Sequence, residues 1–76
     1  MEKKKIYELD ISEDWKRVLV RSVKGITIMD AAIMLNIHYN TAAIQLRMFE
    51  ARNWLKRKVL ASGRYKYFLN RVVLEN

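Results

Sequence analysis

The spacing of apolar residues changes at Asn53, and this change restricts the folds that the chain can adopt. Upstream, apolar residues from Ala42 to Phe49 recur at intervals of four and three, which places them on one face of a helix. Downstream, two stretches rich in aromatic and branched residues flank Gly63, which can supply the positive φ angle of a turn. The sequence therefore predicts a helix over 40–53 followed directly by a β-hairpin over 54–69.

A second helix is predicted immediately upstream, over 27–36. Thr27, with Asp30 three residues later, can satisfy the free amide groups of a first helical turn. Asn36 tolerates the left-handed conformation that ends a helix and allows a sharp turn. Either Asn40 or Thr41 can then cap the following helix. The two helices and the turn between them predict a helix-turn-helix.

The N-terminal part of the chain reads as support for these elements. Residues 1–11 form an arm in which Ile6–Ile11 alternates apolar and polar residues; this predicts a short strand, an extended lead-in or a segment that pairs with a second copy. A helix is predicted over 12–24, because a serine cap precedes two acidic residues in its first turn. Ile26–Thr27 predicts a very short strand beside the hairpin. The apolar end, 72–74, predicts a third strand, a final helical turn or a patch covered by another subunit.

Composition narrows the class of protein. A chain of 76 residues has room for a single domain with one modest core, here spanning 1–76. It contains no cysteine and one histidine, so we expect no disulfide, no metal site and no cofactor. The N-terminus has no signal-peptide core, and no stretch approaches the length of a membrane span. We therefore expect a cytoplasmic protein, with no membrane partner and no small-molecule ligand.

The positive charge is unevenly distributed. Residues 1–46 hold seven Lys or Arg and six Asp or Glu, whereas residues 47–76 hold eight and two. A surface charged only for solubility would spread its charges more evenly. The excess at the C-terminal end predicts a nucleic-acid partner. Nothing in the sequence supports catalysis, because a glycine-rich phosphate loop and a Ser, His and acid arrangement are both missing.

The order helix, short strand, helix, helix, strand, strand resembles the winged helix-turn-helix DNA-binding family. That family has an α+β fold with three helices and a C-terminal β-hairpin, the wing. The segment Thr41–Leu55 is similar to the recognition helix and first wing strand, and Gly63–Tyr67 to the wing tip and returning strand. Asn53 stands where the family more often has glycine. The family's buried positions are matched by Ala42, Leu46 and Phe49.

Among relatives, the chain looks most like the small regulators encoded by archaeal viruses and plasmids. The resemblance implies a transcription regulator, usually a repressor and often one that acts at its own promoter. It also implies double-stranded DNA as the partner. We expect a homodimer, or two copies on an inverted repeat with recognition helices about 34 Å apart. The alternative is a winged-helix module that docks on protein or binds RNA without sequence specificity.

On this reading the helix over 40–53 enters the major groove. Arg47 can bond a guanine through both of its terminal nitrogens, and Asn40 or Gln45 can pair with adenine. Ala43 or Ile44 can touch a thymine methyl group. The alternative is one more core helix with solvated arginines. The residues predicted to contact DNA from this helix are Asn40, Thr41, Ala43, Ile44, Gln45, Arg47 and Met48.

The hairpin is predicted to lie on phosphates, with Arg64 near its tip reaching a minor groove. Strand residues alternate faces, so its cations cannot all meet one backbone. The alternative is an edge strand whose charges prevent aggregation. The residues predicted to contact the backbone are Thr27, Tyr39, Arg52, Lys56, Lys58, Arg64, Tyr65 and Lys66.

Overall fold

The computed structural model describes residues 3–73, with side chains from residue 5 onward. Its elements follow the predicted order, with one further helix at the N-terminal end. In chain order they are helix α1 (Lys3–Tyr7), helix α2 (Glu13–Arg21), strand β1 (Ile26–Thr27), helix α3 (Ile28–Leu35), helix α4 (Tyr39–Ala51), strand β2 (Leu55–Val59), strand β3 (Tyr65–Leu69) and a 3-10 turn (Arg71–Val73).

Of the three alternatives given for Ile6–Ile11, the short strand and the extended lead-in are wrong. Helix α1 covers the start of this segment, and a turn follows it. Ile6 is fully buried in the core, and Leu9 packs against the core from the turn. The Lys16 ammonium group donates a 2.9 Å hydrogen bond to the carbonyl oxygen of Tyr7, which holds the end of α1 against α2. Tertiary packing therefore outweighs the weak alternation of the sequence.

Helix α2 begins as predicted and ends earlier than predicted. The Ser12 hydroxyl accepts a hydrogen bond from the amide of Trp15, which confirms the cap. The last helical residue is Arg21, and a turn over 22–24 precedes Gly25, whose φ angle is +97°. The predicted boundary at residue 24 included this turn.

The caps of α3 are those that the sequence predicts. The Thr27 hydroxyl accepts a 3.0 Å hydrogen bond from the Asp30 amide, and the Asp30 carboxylate accepts a 3.1 Å bond from the Thr27 amide. Asn36 ends the helix in the left-handed conformation, with φ 52°. The predicted cap of α4 is wrong, because His38 occupies this position and its Nδ1 accepts a hydrogen bond from the Asn40 amide.

Helix α4 ends at Ala51, and the chain reverses through Asn53. Asn53 adopts a left-handed φ of 64°, a conformation that glycine adopts without steric cost and that asparagine tolerates. Strands β2 and β3 then pair in antiparallel fashion around a turn in which Gly63 has a φ angle of +83°. Strand β1 pairs with β3 as predicted, which gives the sheet order β1-β3-β2.

The core lies between the sheet and the helices. Phe49 of α4 is at its centre, with its ring edge-to-face against Trp15 and stacked on Trp54. Both tryptophans therefore pack against the core. From the sheet, Tyr67 and Leu55 close the core on the other side. The C-terminal 3-10 turn buries Val73, so this end is a helical turn, one of the three predicted alternatives; Leu74 lies outside the described residues.

Candidate nucleic-acid interface

Helix α4 has one buried side and one exposed side. Ala42, Leu46 and Phe49 face the core, as predicted from their spacing. The exposed residues are Tyr39, Asn40, Thr41, Ile44, Arg47, Met48 and Ala51. Ile44 lies near the middle of this side, and 58% of its surface is exposed. Met48, one turn further along, is also exposed, so the two side chains form a small apolar area on this side.

The prediction that Ala43 lies on the exposed side is wrong. Ala43 is 6% exposed and belongs to the core cluster. The buried arc of α4 is wider than the stripe given by Ala42, Leu46 and Phe49, because the sheet covers one flank of the helix as well. Of the two residues predicted to meet a thymine methyl group, Ile44 alone is accessible.

Arg47 projects from the flank of α4 that faces the hairpin. Burial raises the pKa of the Tyr67 hydroxyl on the central strand, and the positive charge of Arg47 partly opposes this rise. Glu50, one turn further along the same flank, forms an ion pair with Arg57 of β2, with 3.6 Å between the Arg57 Nε and a carboxylate oxygen. Arg47 therefore stands at the junction of helix and hairpin and remains exposed to a partner.

The opposite flank of α4 faces the loop between α1 and α2. Gln45 and Met48 line a cavity of ≈ 300 Å³, together with Trp15 and the loop residues. Gln45 is half-buried there, whereas Met48 is exposed. Arg52 lines the same cavity, and its guanidinium lies over the Trp54 ring at 5.2 Å from the centroid. Gln45 is therefore less accessible to a base edge than Asn40 or Arg47.

The tip of the hairpin meets the start of both helices of the helix-turn-helix. Arg64 and Tyr65 line a cavity of ≈ 320 Å³ with Thr27 at the cap of α3 and Tyr39 at the start of α4. Arg64 and Tyr39 are exposed. The structure therefore brings together four of the residues predicted to contact a backbone: Thr27, Tyr39, Arg64 and Tyr65.

The hairpin cations separate onto two faces of the sheet. In the register of the sheet, Arg57 is opposite Tyr67 and shares the core-facing side with Leu55. Lys56 and Lys58 point to the outer side, as does Lys66, which is directly opposite Lys58. The predicted wing contacts therefore do not form one surface with Arg64.

The role of Arg57 in this site was not predicted from the sequence. Besides its ion pair with Glu50, its guanidinium lies over the Tyr65 ring at 4.5 Å from the centroid. It therefore joins α4 to both strands of the hairpin. The signal for this role was the alternation of β2, since the residue two places after the buried Leu55 returns to the core side.

Tyr67 carries an unusual buried polar atom. The residue is 0% exposed, and no group in the described part of the chain meets the geometry of a hydrogen bond to its hydroxyl, although the Arg57 guanidinium lies close enough to act on it. Burial raises the pKa of the Tyr67 phenol, and the Glu50 carboxylate raises it further, while Arg57 and Arg47 act in the opposite direction. A buried hydroxyl without a partner lowers stability.

We expect Tyr67→Phe to stabilise the fold by about 1 kcal/mol at neutral pH, because it removes this hydroxyl. Above about pH 10 the unfolded phenol loses its proton while the folded phenol keeps it, so this group makes stability fall as pH rises. Tyr67→Phe should remove that part of the loss. Urea unfolding at neutral and alkaline pH measures both effects, with the exposed Tyr65→Phe as the matched control. A loss of stability at neutral pH would show that Arg57 hydrogen-bonds the hydroxyl.

Among residues 3–73 no helix is long and apolar enough to cross a membrane. Over the same range, no group of three or more His, Asp or Glu side chains is placed to hold a metal ion.

Comparison with known proteins identifies the fold. No protein-family model matches the chain, and no curated protein matches it. Among solved structures, the chain is similar to MepR, a transcription regulator of the Staphylococcus aureus multidrug efflux pump MepA, with a TM-score of 0.74 and 23% sequence identity. The match covers 97% of this chain and 58% of the MepR chain, so the protein spans little more than half the length of MepR.

The fold is therefore a winged helix, an α+β arrangement with four helices and a three-stranded antiparallel sheet. This confirms the predicted fold class. In that fold α3 and α4 form the helix-turn-helix and β2 and β3 form the wing. The narrower resemblance to regulators of archaeal viruses and plasmids gains no support from this comparison, because MepR is a bacterial protein.

Proposed function

We propose that the protein is a sequence-specific, double-stranded DNA-binding transcription regulator. The observation that carries this proposal is the exposed side of α4, where Asn40, Ile44 and Arg47 project outward while the other side is held in the core. An α-helix fits the major groove of B-DNA, in which every base pair presents a distinct pattern. MepR, which shares the fold, is itself a transcription regulator.

Each exposed residue type has a matching base edge. Arg47 donates two hydrogen bonds to the O6 and N7 atoms of guanine, and Asn40 pairs with the N6 and N7 atoms of adenine. Ile44 and Met48 offer apolar contact to the methyl group of thymine. With one arginine among apolar and amide side chains, this face suits a short site that contains both a guanine and thymines.

The wing tip fixes the protein on the backbone. Arg64, exposed beside the start of α4, reaches the adjacent minor groove or its phosphates. Tyr39 can donate its phenol hydrogen to a phosphate oxygen at the same place. Thr27 accepts a bond from Asp30 within the capping box and keeps its own hydroxyl hydrogen for a phosphate.

One α4 helix reads only a few base pairs, so we propose that two copies bind an inverted repeat about one helical turn apart, ~34 Å. Occupying such a site at a promoter blocks transcription, and the resemblance to small regulators favours a repressor that acts on its own promoter. The protein would work in the cytoplasm, where it would associate with the nucleoid when bound.

Selection from a randomised duplex library tests this function. We expect the protein to enrich a short motif, and the enriched duplex to compete at least 10³-fold better than random duplex at fixed salt, in the range of specific DNA-binding proteins. A ratio near one would contradict sequence-specific recognition. Repression is tested separately by placing the motif, if it occurs upstream of the protein's own gene, before a reporter.

A specific observation favours the rival function of a protein-interaction module. Ile33 on the outer side of α3 is 70% exposed, and Met29, one turn before it, is also exposed. Such a pair can seat a partner protein. If α4 reads DNA, Ile33→Ser should leave the selected motif and the affinity for it unchanged. A module that docks on protein through α3 would instead enrich no motif, either as the wild type or as the variant.

A further inference from the structure

The outer side of the sheet carries three lysines that the winged-helix reading of α4 does not use. Lys58 and Lys66 stand directly opposite each other on neighbouring strands, and Lys56 is two residues from Lys58 on the same side. The core-facing side of the same strands holds Leu55 and Tyr67, both buried. The three ammonium groups therefore share one face, which we call the lysine face.

No acidic side chain neutralises this face within the described residues. The ion pairs there join Lys16 to Glu13, Arg17 to Asp14 and Arg57 to Glu50. Asp30 follows three residues after Thr27, which is paired with Lys66, and its carboxylate accepts a hydrogen bond from the Thr27 amide. Like charges directly opposite each other on adjacent strands destabilise a sheet. The opposed lysines therefore destabilise the free protein.

The side chain of Lys66 is also held in place. Gly25 leaves the space in which it runs, since a Cβ at Gly25 would lie 2.6 Å from the Lys66 Cε and 2.7 Å from the Phe68 ring. The Lys66 ammonium lies 5.8 Å from the centroid of that ring. The Lys66 side chain therefore lies against Gly25 and the Phe68 ring on the outer face, where it is half-buried.

We propose that the lysine face binds the phosphate backbone of a second duplex segment, distinct from the segment that α4 reads. The inference rests on the proposed function of α4. Helix α4 packs on the core-facing side of the sheet, as its Glu50–Arg57 ion pair shows, so a duplex on α4 lies on the other side of the sheet from Lys58 and Lys66. A protein with both surfaces bridges two duplexes or two parts of one DNA molecule.

The test compares two variants that each lose two positive charges. Lys58→Gln/Lys66→Gln changes the lysine face, and Arg17→Gln/Arg71→Gln removes exposed arginines elsewhere. Two measurements are made on each: the affinity for a selected duplex of about two helical turns, ~21 base pairs, and the capture of a labelled duplex of unrelated sequence by beads that carry the selected duplex.

The wild-type protein should capture the labelled duplex, and the lysine-face variant should lose this capture by about tenfold. Its affinity for the selected duplex should stay within about twofold of the wild-type value, as for most surface changes away from a site. The arginine variant should retain both properties. Because it relieves the opposed charges, the lysine-face variant should also have a higher Tm than the arginine variant.

Three results overturn the inference while leaving the proposed function intact. In the first, the wild-type protein binds the selected duplex and captures no second one. In the second, capture is unchanged in the lysine-face variant, as expected if two α4 helices of a dimer do the bridging or if the lysines serve an acidic protein. In the third, affinity for the selected duplex falls as much as capture does, which would place the lysines in the α4 interface. Failure of the proposed function gives a different result: selection yields no motif, while beads that carry a duplex of arbitrary sequence still capture the labelled duplex in a lysine-dependent way.

Discussion

Arg47→Ala should weaken binding to the selected DNA site by about 1–3 kcal/mol, or roughly 5- to 150-fold, and should relax selectivity at one base pair. Arg47 is an exposed cation of α4, and it lies near enough to the hairpin for its charge to act on the Tyr67 hydroxyl. Losing a bidentate contact to guanine leaves the base edge without its partner, so the loss concerns the specific site. Titration of the selected duplex and of a single-base variant measures both effects.

The matched control is Arg17→Ala, which removes an exposed arginine that pairs with Asp14 on α2. It should leave affinity and selectivity unchanged. If Arg47→Ala weakened the selected and random duplexes equally, Arg47 would contact phosphate, and base recognition would have to come from Asn40 and Ile44. The slope of log K against log salt concentration would then be smaller by about one unit in the variant, which provides an independent measurement.

Phe49→Ala should unfold much of the protein at physiological temperature. Phe49 is 3% exposed and its ring contacts both Trp15 and Trp54. Removing a buried phenyl ring costs about 3–5 kcal/mol. A domain of this size has a free energy of unfolding of roughly 4–11 kcal/mol at the usual value per residue. The substitution therefore removes a large share of the total, and a thermal melt followed by circular dichroism measures it.

Ile44→Ala is the control for this change, because it truncates a large apolar residue of the same helix on its exposed side. Its Tm should be close to that of the wild type, while its affinity for a thymine-containing site falls. A drop in Tm as large as that of Phe49→Ala would mean that Ile44 packs against the protein itself, and the assignment of the exposed side of α4 would then be wrong.

The elements whose local chemistry is strong are those that the sequence predicts. Thr27 and Asp30 form a capping box, and Asn36 and Gly63 adopt the positive φ angles that their residue types favour. Each of these signals acts within four residues, so it does not depend on contacts with distant parts of the chain. The winged-helix order follows from them, together with the change of period at Asn53.

What the sequence could not predict depends on contacts between distant segments. Helix α1 has five residues, too few for an isolated helix to be stable, and it exists because Ile6 is buried and Lys16 holds its end. Ala43 is buried because the sheet covers one flank of α4. The role of Arg57 needs Glu50 to arrive from another element. In each case the deciding partner is separated from the residue by a turn or by several elements.

Thr27 belongs to two structures at once. Its backbone is paired with Lys66 of the central strand, and its hydroxyl closes the first turn of α3. No loop separates strand β1 from helix α3, so a displacement of the hairpin is transmitted directly to the start of α3. The wing and the helix-turn-helix should therefore move together as one rigid unit. DNA that bends around the wing would have to move the helix-turn-helix as well.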